Sequence, residues 1–246
     1  MPDARYPDTL LAFDTSTERM AVAVQTAEGR WLQDAEGGAA ASAALLPALQ
    51  ALLAQAGRAM ADVAAIGFGR GPGAFTGLRT SCAVAQGLAF GLARPALPID
   101  SLLLVAEQAR QQAGGGDGFE VGVAIDARMG EVYAARYRQA GTRWQVLQAP
   151  GLWSPTALAA CWAADPPPAA TGSALALFDA IFDTACPRAC RIDAGAARAA
   201  ALIELADQAW RDGAGVDAAE ALPLYLRDKV AQTTAERQAQ RAAEAG

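Results

Sequence analysis

Gly67-Phe68-Gly69-Arg70-Gly71-Pro72-Gly73-Ala74-Phe75-Thr76-Gly77-Leu78-Arg79 joins a short apolar run, residues 63–68, to a long stretch of small residues with helical period. Its five glycines and one proline permit positive φ and close backbone approach where the apolar run ends. The stretch therefore reads as strand, loop and helix, the helix covering residues 76–93. A glycine-rich loop opening a helix can hold phosphate on its free N–H groups. The P-loop pattern, however, needs Lys and then Ser or Thr after its last glycine, and here Leu78-Arg79 follows Gly77. The dinucleotide spacing G-x-G-x-x-G is not met cleanly either, since Gly69-x-Gly71-x-Gly73 runs on to Ala74. A tight turn that lets a helix pack close is the better reading.

Along the helix, Gly77, Thr80 or Ser81, Val84, Gly87 and Gly91 recur at three- and four-residue spacing, leaving one face nearly bare backbone. Each glycine inside a helix costs about 0.5–1 kcal/mol relative to alanine, so several on one face point to close packing there, by a helix of this chain or of another. Residues 82–93 are apolar but fall short of the roughly 20 residues that a membrane span requires.

Working outward, 246 residues with 53% hydrophobic content make one large globular domain or two of ordinary size. No signal peptide or membrane segment is read in the chain, and a cytoplasmic protein is expected. Cys82, Cys161, Cys186 and Cys190 form no C-x-x-C pair and are expected as buried free thiols. The chain has no histidine, which removes H-E-x-x-H zinc sites and Ser/His/Asp chemistry. Its one lysine, Lys229, lies near the C-terminus, so no Walker lysine is available. A net charge of −6 gives no general basic field for nucleic acid.

The chain opens with strand patterns at residues 9–13, 20–24 and from 29, separated by Asp14-Thr15-Ser16-Thr17-Glu18-Arg19 and a second turn. A helix over 42–56 carries a leucine stripe of Leu45, Leu46, Leu49, Leu52 and Leu53, and Gly57 stops it. A strand at 96–99 and a helix from 101 to about 112 come after the central unit. Then Ala113-Gly114-Gly115-Gly116-Asp117-Gly118 marks a loop, and the opening repeats: a strand at 121–125 leads into Asp126-Ala127-Arg128-Met129-Gly130-Glu131 and a strand at 132–137. Gly29 near Trp31 is echoed by Gly141 near Trp144. Matched order over some thirty residues predicts two similar α/β halves, 1–100 and 101–227, followed by a polar tail, 228–246. Helices at 155–162, 173–184 and 196–210 and a short strand at 169–172 complete the second half. Asp14 and Asp126 read more readily as turn caps than as acid/base groups, and Trp31 and Trp144 as packing residues.

Three segments together resemble the TsaB (YeaZ) family of bacterial tRNA threonylcarbamoyladenosine biosynthesis proteins: residues 13–17, residues 69–79 and residues 124–133, with Pro223-Leu224-Tyr225-Leu226-Arg227 fitting as well. The resemblance implies two similar actin-like (ASKHA, RNase H-like) lobes, each a mixed sheet flanked by helices. It implies a non-catalytic scaffold or activating subunit, without cofactor or metal, that binds a TsaD-like catalytic subunit together with a TsaE-like ATPase. This complex forms N6-threonylcarbamoyladenosine beside the tRNA anticodon. Contact with tRNA is expected only through the complex, no membrane is involved, and the chain alone is expected to form a homodimer. The implied partner surface is the first two helices, at Leu45, Leu46, Leu49, Leu53, Thr76, Thr80, Val84, Gly87 and Gly91. Asp14, Thr15, Ser16, Asp126 and Arg128 are the residues placed near any nucleotide. Ala74 stands where the family usually has Ser, and Ala41 where His is expected. The alternative is an actin-like ATPase or sugar kinase, whose phosphate turn reads Asp-x-Gly. Ser16 occupies that glycine position here. TsaD itself holds a metal through histidines, which this chain lacks, and the old label of glycoprotease finds no nucleophile or metal set.

Overall fold

The computed structural model describes residues 9–38, 41–193, 195 and 197–227. The polar tail expected at 228–246, with Lys229, lies outside them. Two five-stranded sheets share one topology. In the first, β1 (Leu10–Asp14), β2 (Arg19–Gln25) and β3 (Arg30–Glu36) form an antiparallel meander. Then β4 (Ala65–Gly71) and β5 (Ala96–Asp100) add in parallel, giving the order β3-β2-β1-β4-β5. The second sheet repeats this with β6 (Glu120–Arg128), β7 (Glu131–Ala140) and β8 (Arg143–Trp153) as the meander. There β9 (Ala170–Thr171) and β10 (Arg191–Ile192) are the parallel additions, in the order β10-β9-β6-β7-β8. The repeat expected from the paired Asp turns is thus a repeat of whole sheets.

Both faces of the first sheet are covered, which is why β1 reads as a continuous apolar run instead of an alternation. One face, with Leu11, Phe13, Met20 and Val22, packs against Leu45, Leu49, Leu52 and Leu53 of α1 (Ala41–Gln55) and Cys82, Ala85 and Ala89 of α2 (Phe75–Leu92). Its other face, with Leu10, Ala12, Ala21 and Ala23, meets Leu202, Ile203 and Ala206 of α7 (Arg198–Arg211). The approach is close: a Cβ on Gly67 would stand 2.8 Å from that of Ala206.

The helix that follows the fifth strand of each sheet packs on the other sheet. After β5, α3 (Ser101–Ala113) packs Leu102, Val105, Ala106 and Ala109 on Val121, Val123, Ala135 and Tyr137 of the second sheet. From the second half, α7 returns to the first sheet, and α3 and α7 pack on one another between the sheets. Trp144 belongs to the same junction. It stands edge-on to Phe119 and Tyr137, and its Nε1 donates to Glu107 Oε2 at 3.0 Å. The far face of the second sheet is covered by α4 (Pro155–Ala164) and two short helices, α5 (Ala174–Leu177) and α6 (Asp179–Phe182). These lobes, each a mixed sheet flanked by helices, make the actin-like fold that the resemblance implies.

Local departures have local causes. The single helix expected over 173–184 breaks at Phe178, whose φ of −115° and ψ of 38° interrupt the helical turn. The two-residue β10 is too short to show a period in sequence. Cys161, expected buried, is exposed on α4, whereas Cys82 and Cys186 are buried and all four cysteines are free. Among the described residues, no helix is long and apolar enough to cross a membrane.

Candidate functional site

Three of the five glycines of residues 67–79, Gly69, Gly73 and Gly77, answer to the turn between β1 and β2. A Cβ on Gly69 would lie 2.3 Å from Asp14 Oδ1, one on Gly73 would lie 2.5 Å from Ser16 O, and one on Gly77 would lie 1.8 Å from Thr15 O. The turn is threaded into the mouth of α2. There the Thr15 amide donates to Ser81 Oγ at 3.0 Å, the Thr15 hydroxyl donates to Gly77 O at 2.7 Å, and the Ala74 amide donates to Ser16 O at 2.8 Å. The loop is filled by the protein's own backbone in place of a phosphate. The N-terminus of α2 carries no side-chain cap, because Ala74 has no oxygen to offer its free amides.

Asp14 is fully buried. Its Oδ1 accepts the Ser16 amide at 2.8 Å, an Asx turn, while its Oδ2 takes Arg198 Nε at 2.8 Å and NH2 at 2.5 Å. Arg198 is almost as deeply buried and also donates to Gln108 Oε1 at 3.1 Å. The desolvated carboxylate has its guanidinium at hand, and both charges are compensated where they stand.

Between the lobes lies a cleft of about 1270 Å³. Ser16, Asp126 and Arg128, from the expected nucleotide-proximal set, line it, whereas Asp14 and Thr15 sit behind its wall. The β6–β7 turn repeats the Asx motif, with the Arg128 amide donating to Asp126 Oδ1 at 2.7 Å and the Asp126 amide to Ser173 Oγ at 3.0 Å. The guanidiniums around the cleft are largely matched with acids: Arg128 with Glu18 at 3.1 Å and Asp126 at 3.3 Å, Arg227 with Glu131 at 2.6 Å, and Arg188 and Arg191 with Asp179. Hydrogen bonds from Arg188 and Arg191 hold the Asp179 carboxyl below the usual carboxylate range. Burial pushes the Cys82 thiol beneath the glycine stretch up to about 12, so it stays protonated and unreactive at neutral pH. Among the described residues, no group of three or more Cys, Asp or Glu side chains could hold a metal ion.

The surface of α1 and α2 offers a different kind of site. Leu45, Leu49 and Leu53, expected to face a partner, are buried against the first sheet, because the leucine stripe is the face that makes the core. Leu46, on the outer side of α1, is 44% exposed. On α2, Thr76 is exposed, Thr80 is half-buried with its hydroxyl bonded to Thr76 O at 3.1 Å, and Val84 packs partly on the core. Gly87 and Gly91 are open, with nothing within 4 Å of an added Cβ. Phe90, absent from the expected set, stands between them 84% exposed. Its sequence signal was an aromatic residue set among small ones on the glycine face. Arg198 was missed altogether, since nothing near it in sequence marks an ion pair.

Comparison with known proteins agrees with this architecture. The family model described as TsaD, tRNA N6-adenosine threonylcarbamoyltransferase, matches residues 36–235. TsaB from Haemophilus influenzae, a tRNA threonylcarbamoyladenosine biosynthesis protein, is 41% identical over 125 residues, 51% of this chain and 52% of that one. Escherichia coli TsaB is 42% identical over 95 residues, 39% of this chain and 40% of its own length. The chain thus spans about half of the length of these two curated relatives. The solved structure of YeaZ from Pseudomonas aeruginosa superposes with a TM-score of 0.77 at 36% identity, covering 89% of this chain and 99% of that one. With matched turns, matched sheets and a relative aligned over nearly its full length, the chain belongs to the TsaB (YeaZ) family, within the wider group that the threonylcarbamoyltransferase model describes.

Proposed function

We propose that this chain is a non-catalytic scaffold or activating subunit in the formation of N6-threonylcarbamoyladenosine in tRNA. It works by binding a TsaD-like catalytic subunit, alongside a TsaE-like ATPase, in the cytoplasm. The observation that carries the non-catalytic part is the burial of Asp14 against Arg198. The acid of the first turn, which stands where the phosphate turn of an actin-like ATPase or kinase reads Asp-x-Gly, is sealed off and paired with a buried guanidinium. The two sequence halves, 1–100 and 101–227, supply one sheet each, with α7 of the second packed on the sheet of the first, and the first presents the partner surface.

That surface is the outer side of α1 and α2: Leu46, Thr76, Gly87, Phe90 and Gly91. An aromatic side chain flanked by two open glycines is suited to insertion between partner helices, and exposed aromatics are the common anchors of protein interfaces. The same face joins two copies when the partner is absent. Contact with tRNA arises only in the assembly, in keeping with a net charge of −6.

Reconstitution tests the reading. Threonine, bicarbonate, ATP, tRNA, the enzyme that forms the threonylcarbamoyl adenylate, the TsaD-like subunit and the TsaE-like ATPase are combined with and without this chain. Modified adenosine is expected only with it, and Phe90→Asp is expected to abolish both association and modification while leaving the fold intact. Equal modification without this chain overturns the proposal. So does modification by this chain alone when supplied with the adenylate.

A further inference from the structure

Residues 222–227 form neither helix nor strand, yet they are fastened to both lobes. On the first lobe, the Leu224 amide donates to Arg70 O at 2.7 Å. Gly71 (φ 104°) lies so close that an added Cβ would stand 3.2 Å from Leu224 O. The Tyr225 ring packs on Phe75 with centroids 6.1 Å apart, and its hydroxyl accepts from Arg79 Nε at 3.2 Å. The Arg79 guanidinium in turn lies 3.7 Å from the centre of the Phe75 ring. This end is held by backbone, aromatic and cation–π contacts together.

Two residues further on, the chain has reached the second lobe. Arg227 pairs with Glu131 at 2.6 Å, and its NH2 donates to Ala127 O at 3.1 Å and, more weakly, to Arg128 O at 3.4 Å. Its NH1 lies 2.7 Å from the Met129 sulfur. These groups all belong to the β6–β7 turn, where Arg128 (φ 63°) and Met129 (φ 57°) are both left-handed, a conformation that non-glycine residues rarely adopt. The turn directs its carbonyls to one side, and a planar guanidinium bridges them as an ammonium would not. The Arg227 side chain is only 13% exposed. The Arg128–Glu18 pair, which also spans the cleft, is 75% and 79% exposed and contributes little.

We infer that residues 222–227 are a clasp that holds the two lobes together across the cleft, with Arg227 as its releasable end. Leu224, Tyr225, Leu226 and Arg227 all line the cleft, so the clasp is part of its wall. The first-lobe end has several kinds of contact, whereas the second-lobe end rests on one side chain. At the base of the cleft, α3 and α7 stay packed on one another and act as the hinge. Releasing Arg227 therefore widens the mouth without separating the lobes. The anchor residues Phe75 and Arg79 belong to α2, which links the clasp mechanically to that helix.

Two variants of the full chain remove the fastening from opposite sides: Arg227→Ala, and Glu131→Gln, which keeps the backbone and volume of the turn. Hydrogen exchange and small-angle scattering are read on each, with far-UV circular dichroism to establish a native fold. Amides of the Leu224 anchor and the Arg128 turn should exchange about tenfold faster, in step, and the radius of gyration should rise. Unchanged exchange and unchanged scattering in both variants would overturn the clasp. Faster exchange confined to 222–227 with the radius of gyration unaltered would overturn it equally, since the segment would then be a fastened end that holds nothing else.

Discussion

The turn after β1 and the turn after β6 hold the same place in the two halves of the molecule, and their aspartates meet different fates. Each accepts a backbone amide two residues on, from Ser16 or Arg128. Asp14 is then sealed beneath α2 and matched with a buried guanidinium, while Asp126 faces the cleft beside an exposed one. The local motif sets the turn, and the neighbours delivered by the rest of the chain set its electrostatics. In the first half those neighbours are glycines, which let a helix mouth close over the turn. In the second half, the corresponding strand is the two-residue β9, and Gly172, where a Cβ would stand 2.1 Å from Ala124 O, marks a comparably tight approach.

The sharpest way to break this contrast is to remove the acids. Asp14→Ala leaves Arg198 buried without its counter-charge and is expected to destabilise the chain by about 3–5 kcal/mol, whereas Asp126→Ala should stay within about 1 kcal/mol. Denaturant unfolding measures both. Replacing the pair together, Asp14→Ala with Arg198→Met, should cost less than the sum of the single changes, because neither charge is left alone. Equal effects at Asp14 and Asp126 would mean that the two turns are equivalent after all.

A second comparison runs along α2 itself. Gly77→Ala forces a Cβ into Thr15 O and should destabilise by about 3 kcal/mol or more, in the range of overpacked sites. Gly87→Ala meets nothing and should stabilise by up to about 1 kcal/mol through helix propensity. Thermal unfolding distinguishes the two signs.

The smallest expected effect concerns pH and the second sheet. Burial raises the Glu120 carboxyl, but hydrogen bonds and charges from Arg138 and Arg136 outweigh it, and the group ends below its ordinary value of 4.5. A carboxyl lowered by folding contributes stability that is complete above its unfolded value and is lost as pH falls through the folded one. Stability should therefore fall on acidification below about pH 4.5, and Glu120→Gln should make the curve shallower there. An unaltered acid limb in that variant would place the acid sensitivity elsewhere.

Much of the architecture was legible because it is written in short-range periodicity. The strand–Asp–turn–strand repeat, the leucine stripe of α1, the glycine face of α2 and the loop at 113–118 each show in a window of a few residues. The meaning of those patterns was harder to read. A leucine stripe at helical spacing is the same signal whether it faces a core or a partner, and here Leu45, Leu49 and Leu53 face the core while Leu46, Phe90 and the open glycines are left outside. The helix at 173–184 failed for a related reason: composition carried no sign that tertiary packing would break it at Phe178.

By itself the sequence determined which chemistry was out of reach, through the absence of histidine and the single lysine, and it determined that the chain is built from two like halves. The tertiary structure alone decided which charges meet. Arg198 and Asp14 are 184 positions apart and come together because α7 crosses back to the first sheet, while Arg227 meets a turn about 100 positions away because residues 222–227 cross the cleft. Hydrophobic period is local, since one element buries one face and its spacing records it. An ion pair between distant residues depends on where two crossings end, and no window of sequence contains both.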